Sequence, residues 1–153
     1  VRPLTRRYCT DLLSLRYCRL NGVLNSDTMF SRYKLIIGNT CAQMFTIGGL
    51  VQAEPIASKS AAGDAFKAFI QDVGAPNDLI VDNAQEQVAK GSYFQKVARF
   101  HHARVHQTEP YTSKQNRAED QIGLACKRWC QTMIRKLVPR RLWDYGLIWE
   151  SEI

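Results

Sequence analysis

A chain of 153 residues with 45% hydrophobic content is long enough to bury one sizeable core and is ordinary in composition for a globular domain. No apolar run reaches the roughly 20 residues of a membrane helix, and no apolar stretch follows the N-terminal charges as a secretory signal requires. Twenty-one Lys and Arg against 14 Asp and Glu leave a net charge of +7. That balance favours a polyanion, whose neutralised phosphates release counterions, although a solvated basic surface has the same composition. The basic residues gather at both ends: Arg2, Arg6, Arg7, Arg16 and Arg19 in one segment, and Lys114, Arg117, Lys127, Arg128, Arg135, Lys136, Arg140 and Arg141 in the other. Five cysteines with no Cys-x-x-Cys pair argue against a disulfide framework and fit a reducing intracellular setting. Cys126, Cys130, His101, His102 and His106 lack the tight spacing of a zinc site, so buried thiols and strand-edge histidines are expected there. The chain starts with Val, which reads as a segment of a longer polyprotein.

Residues 1–20 are weakly patterned and read as a basic lead-in arm, with one domain over 21–153. Residues 22–30 have the pattern of a strand carrying Asp27. The β-branched and aromatic residues of 40–56 predict two strands joined at Gly48-Gly49, where a tight hairpin needs positive φ. Ala62, Ala65, Phe66, Phe69, Ile70 and Val73 recur at helical spacing, with Gly74 as the stop and Pro76 preventing continuation. The short apolar run 78–82 ends in Asp82 and reads as a buried parallel strand. A helix over 92–101, a short strand through Val105, a long helix over about 115–137 and a final helix from Arg141 complete the order. The expected class is α/β: a mixed sheet of about five strands flanked by helices.

Three acids then stand on three elements: Asp27 within a strand, Asp82 at the end of one, and Glu119 in the first turns of the long helix. Each has an ordinary structural explanation, as a turn former, a cap or a partner of the helix dipole. Gathered together, three carboxylates would repel one another unless divalent cations compensated them. A set of hard oxygen donors suits Mg²⁺, with Mn²⁺ as a substitute. Two such ions about 4 Å apart serve in-line phosphoryl displacement.

The residues around these acids resemble copia-type integrases of LTR retrotransposons. The run from Thr108 through Pro110, Tyr111, Gln115 and Asn116 to Ala118 and Glu119 is similar to the family segment that carries the catalytic glutamate. Leu79, Ile80, Val81, Asp82 and Asn83 with Glu86 look like the second-aspartate strand and the polar turn after it. Ser26 to Phe30 resembles the first-aspartate strand, and Gly38 to Gln43 the region that follows. Thirty-six residues separate Asp82 from Glu119, close to the family interval.

The resemblance implies an RNase H-like fold and a polynucleotidyl transferase that trims DNA ends with water and joins the 3′-hydroxyls to target DNA. It implies that Asp27, Asp82 and Glu119 hold Mg²⁺ as two ions, and that Tyr111, Lys114, Gln115, Asn116, Arg117 and Lys127 contact DNA. Glu86 would support the acids. It also implies element and target DNA as partners, a homo-oligomer, action in the nucleus, no membrane association, and flanking zinc-binding and DNA-binding domains outside this segment. Departures are present. Asn116 lies three residues before Glu119 rather than four, Ser113 replaces a Pro, Ile47 stands where many relatives carry an acid, and Asp120 adds a charge beside Glu119. A decayed copy acting only in nucleic-acid binding or assembly is the alternative reading. An RNase H-type nuclease is disfavoured, because no fourth acid of that kind is evident.

Overall fold

The computed structural model describes residues 18–32, 38–82, 84–108 and 117–151, the side chains of 117–119 and 149–151 excepted. Its strands are β1 (Arg19–Phe30), β2 (Cys41–Ile47), β3 (Leu50–Ile56), β4 (Ala75–Val81) and β5 (Arg104–Gln107). The helices are α1 (Ala62–Asp72), α2 (Gln85–Val88), α3 (Tyr93–Phe100), α4 (Arg117–Arg135) and α5 (Trp143–Ser151). Short 3₁₀ turns at Lys59–Ala61 and Arg140–Leu142 lead into α1 and α5. The five strands form one sheet in the order β3-β2-β1-β4-β5. β1, β2 and β3 pair antiparallel, whereas β4 lies parallel to both β1 and β5. The expected mixed five-stranded α/β sheet with flanking helices is what the chain adopts.

Each local reason is visible. Gly48 and Gly49 take φ of 54° and 96°, so the two-residue turn closes β2 onto β3 in the register Ile47 opposite Leu50. The Ser92 hydroxyl accepts the Gln95 amide at 3.2 Å and caps α3. Because side chains alternate along a strand, the sheet presents two different surfaces. On one, Leu24, Phe45, Leu79 and Val81 bury against Phe66, Phe69 and Ile70 of α1 and Phe94 of α3. The Phe45 and Phe69 rings stand 4.7 Å apart and those of Phe66 and Phe94 4.9 Å, a dense aromatic seam. On the other, Ala42, Met44 and Ala53 pack against Ile122 and Met133 of α4 and Trp143 and Leu147 of α5. Gly146 makes that second layer possible, since a Cβ there would sit 2.7 Å from Trp129 Nε1 and 3.1 Å from Met133 Sδ.

Some details differ from the sequence reading. β1 starts at Arg19, so the last two residues of the supposed arm belong to the sheet, opposite Ala75 and Pro76; residues 1–17 lie outside the described residues. β4 begins at Ala75 rather than at 78, so Pro76, which lies beyond the end of α1 as expected, is its second residue, and Arg19 donates to the Pro76 carbonyl at 3.2 Å. The short helix α2 was not anticipated, since four residues carry no periodicity and Ala84 supplies no side-chain cap. The expectation of buried thiols holds only in part. Cys41 is buried and Cys126 half-buried, Cys18 and Cys130 are exposed, and all four are free. Among the histidines, His106 stands exposed on edge strand β5 as expected, but His101 is buried at the end of α3.

Candidate active site

The parallel pairing of β1 with β4 sets Ser26 opposite Val81, so the next pair in step is Asp27 with Asp82. Sequence order alone would not align them; the register of two adjacent strands does. Asp27 lies on the surface that carries α4. Its cross-strand partner is Met44, which packs in the α4/α5 layer, and Met29, two residues on, packs there as well. Ser26, Val81 and Leu24 take the opposite surface, away from the acids.

Asp27 is partly buried, and burial is the main force pushing its carboxyl above the ordinary value of 3.8. The Thr28 amide, which donates to Asp27 Oδ1 at 2.7 Å, opposes that rise. The negative charge of Asp82 adds to it, and Lys59 reduces it. Asp27 and Asp82 are therefore close enough to repel. Asp82 is exposed just past the end of β4.

A buried polar network fixes the strand beneath Asp27. Gln43 is fully buried on β2; its amide donates to Ser26 Oγ at 2.6 Å and to the Asp27 carbonyl at 3.0 Å. The Thr28 hydroxyl donates to Gln43 Oε1 at 2.9 Å. These bonds tie the residues on both sides of Asp27, and its own backbone, to the neighbouring strand.

Glu119 stands in the first turn of α4, a helix that begins at Arg117, but its side chain lies outside the described residues. The helix itself is anchored on the Asp27 surface, where Cys126 Sγ reaches Met29 Sδ at 3.1 Å and Ile122 is buried. Glu119 precedes Ile122 by three residues and Cys126 by seven. Tyr111, Lys114, Gln115 and Asn116 fall outside the described residues, as does the side chain of Arg117; Lys127 is exposed on α4. Among the described residues no three His, Cys, Asp or Glu side chains form a metal-holding group; Asp27 and Asp82 are two acids whose charges act on one another. That pair fits a divalent cation in kind: hard carboxylate donors, side by side, with like charges that a cation would relieve.

Glu86 sits in α2 and pairs with Lys59, Nζ to Oε1 3.3 Å, while the same ammonium lies 4.9 Å from the centre of the Phe30 ring. Sequence reasoning gave Ser26, Thr28 and Gln43 no role beyond lying in the matched segments, and passed over Lys59. Gln43 and Ser26 left a trace, as polar residues at positions whose neighbours in the alternation are apolar. Lys59 left none, since its relation to Asp27 arises only when the end of β3 and the start of α1 meet the end of β1.

No family model matches the chain, and no curated protein matches it either. Solved structures do. The catalytic core domain of HTLV-2 integrase, in complex with magnesium in a dimeric form, superposes with a TM-score of 0.63 at 14% identity, covering 84% of each chain. The catalytic core domain of BIV integrase gives 0.66 at 15% identity over 85% of this chain and 80% of that one. A simian T-cell lymphotropic virus intasome in complex with the PP2A regulatory subunit B56 gamma gives 0.60 at 16% identity, over 85% of this chain and 48% of that one. The chain has the RNase H-like fold of retroviral integrase catalytic cores.

Proposed function

We propose that this chain is the catalytic core of an LTR-retrotransposon integrase of the copia type, which processes DNA 3′ ends and joins them to target DNA. Asp27, Asp82 and Glu119 would hold Mg²⁺, or Mn²⁺ in its place, as two ions. The observation that supports the reading is the β1–β4 register, whose last pair, Ser26 with Val81, immediately precedes Asp27 and Asp82, on a sheet against which the Glu119 helix packs. The integrase-core fold and the magnesium named with the HTLV-2 neighbour support it.

Bound divalent metal would supply positive charge for the entering and leaving oxygens of phosphoryl transfer. The chain's own part is to hold the acids still. Gln43 clamps the backbone of β1, the Thr28 amide orients the Asp27 carboxylate, and the β4 ladder fixes the base of Asp82. Tyr111, Lys114, Gln115, Asn116, Arg117 and Lys127 would contact DNA, and Glu86 would support the acids. Element and target DNA as partners, assembly as a homo-oligomer and action in the nucleus belong to the same proposal.

The test is strand transfer and disintegration on short DNA duplexes with Mn²⁺. Wild-type protein turns over substrate, and Asp82→Asn loses about 100- to 1,000-fold. A folded wild-type domain no more active than Asp82→Asn would instead mark an integrase-fold module acting only in binding or assembly.

A further inference from the structure

The acid site carries more negative charge than a DNA-processing surface can present unaided. Asp27 and Asp82 follow the paired residues Ser26 and Val81 of two neighbouring central strands, so a phosphate approaching them meets two carboxylates. Among the described residues, the cation whose field reaches Asp27 is Lys59. Its place is built by the fold. The Thr40 hydroxyl donates to the Ala57 carbonyl at 2.8 Å, and the Thr40 amide donates to the Ile56 carbonyl at 3.3 Å, so the chain leaving β3 is tied down just before Lys59. The ammonium then extends between the Glu86 carboxylate at 3.3 Å and the face of Phe30, a residue that is itself 60% exposed.

A pair of this kind contributes little to stability. The Lys59 side chain is 45% exposed, and its contact to the buried Glu86 Oε1 is long and does not have hydrogen-bond geometry. The low cost of breaking the pair is what suits it to exchange. A lysine is a compact charge on a flexible stem, able to leave one anion for another that comes within reach. Phe30 supplies a flat, exposed apolar surface against which the stem and a sugar or base can rest.

We infer that Lys59 is a DNA-phosphate contact at the rim of the acid site, and that Glu86 holds its ammonium in place until DNA arrives. This rests on the DNA-processing reading above. Lys59 and Glu86 then have opposite effects. Removing Lys59 takes away a phosphate contact, whereas neutralising Glu86 both frees the lysine and removes a charge that repels DNA. Lys59 is also a cation beside a cation site, so its loss leaves metal affinity unchanged or slightly tighter.

The experiment is fluorescence anisotropy of a labelled DNA duplex over a range of salt, with Ca²⁺ replacing Mg²⁺ so that binding is read without turnover. Wild type, Lys59→Ala, Lys59→Arg and Glu86→Gln are compared, and Mn²⁺ binding to each is measured separately without DNA. Lys59→Ala weakens DNA binding about three- to tenfold and flattens the salt dependence by roughly one phosphate, Lys59→Arg largely retains binding, and Glu86→Gln tightens it. Mn²⁺ affinity does not fall in Lys59→Ala. Equal DNA affinity and salt slope in wild type and Lys59→Ala overturn the inference, as does a parallel loss of DNA and Mn²⁺ binding, which would mark Lys59 as merely structural. A wild-type protein that binds no DNA at all overturns the DNA-processing reading and the inference together, whereas wild-type binding unchanged in Lys59→Ala overturns the inference alone.

Discussion

Two aspartates on β4 and its immediate end, Asp78 and Asp82, stand four residues apart on the same surface of the sheet and meet opposite surroundings. Asp78 faces β5, where Arg104 donates to it at 2.9 Å and His106 approaches at 3.0 Å, and these two bonds hold its carboxyl below the usual range. Asp82 faces β1, where the residue in step is Asp27, a carboxyl held above the usual range by burial and by Asp82 itself. The edge strand thus neutralises one acid with cations, while the central strand confronts the other with a second acid. An acid matched by bases serves the fold; a pair of acids set against each other costs the fold something, as expected of the proposed metal site.

The sharpest way to break this contrast is activity. Asp27→Asn and Asp82→Asn each lower strand transfer about 100- to 1,000-fold, while Asp78→Asn leaves it within about threefold. A loss at Asp78 as large as at Asp82 would erase the distinction. Next comes the support beneath Asp27. Gln43→Leu strands the Ser26 and Thr28 hydroxyls in the core and destabilises the fold by about 1–3 kcal/mol, seen as a melting temperature lower by roughly 3–10 °C.

A smaller effect sharpens the contrast through its sign. The native Asp27 carboxyl holds its proton more tightly than the unfolded one, so above the ordinary value of 3.8 the native state binds more protons and stability falls as pH rises. In metal-free buffer at pH 7, Asp27→Asn therefore raises the melting temperature by about 1–3 °C, and the gain disappears below pH 3.8. Asp78 runs the other way. Its lowered value adds stability above 3.8 that is lost as pH falls, and since the group is at the surface Asp78→Asn lowers the melting temperature by less than about 2 °C at neutral pH.

Much of this arrangement was legible in the sequence. The Gly48-Gly49 hairpin, the helical spacing through Phe66 and Phe69, and the apolar run into Asp82 each follow from local chemistry, and local chemistry survived folding. The start of β1 was not legible, because Arg19 and Leu20 become strand only by pairing with Ala75 and Pro76, more than 50 residues away. The site divides in the same way. Asp27 and Asp82 could be named from the resemblance, but their alignment depends on register, and the roles of Gln43 and Lys59 depend on which elements meet around the end of β1.

The most direct measurement is anomalous diffraction from crystals soaked in Mn²⁺. The account predicts a peak coordinated by carboxylate oxygens of Asp27, Asp82 and Glu119 at about 2.0–2.5 Å. A Glu119 carboxylate directed away from the two aspartates, or an empty site at saturating manganese, would contradict it.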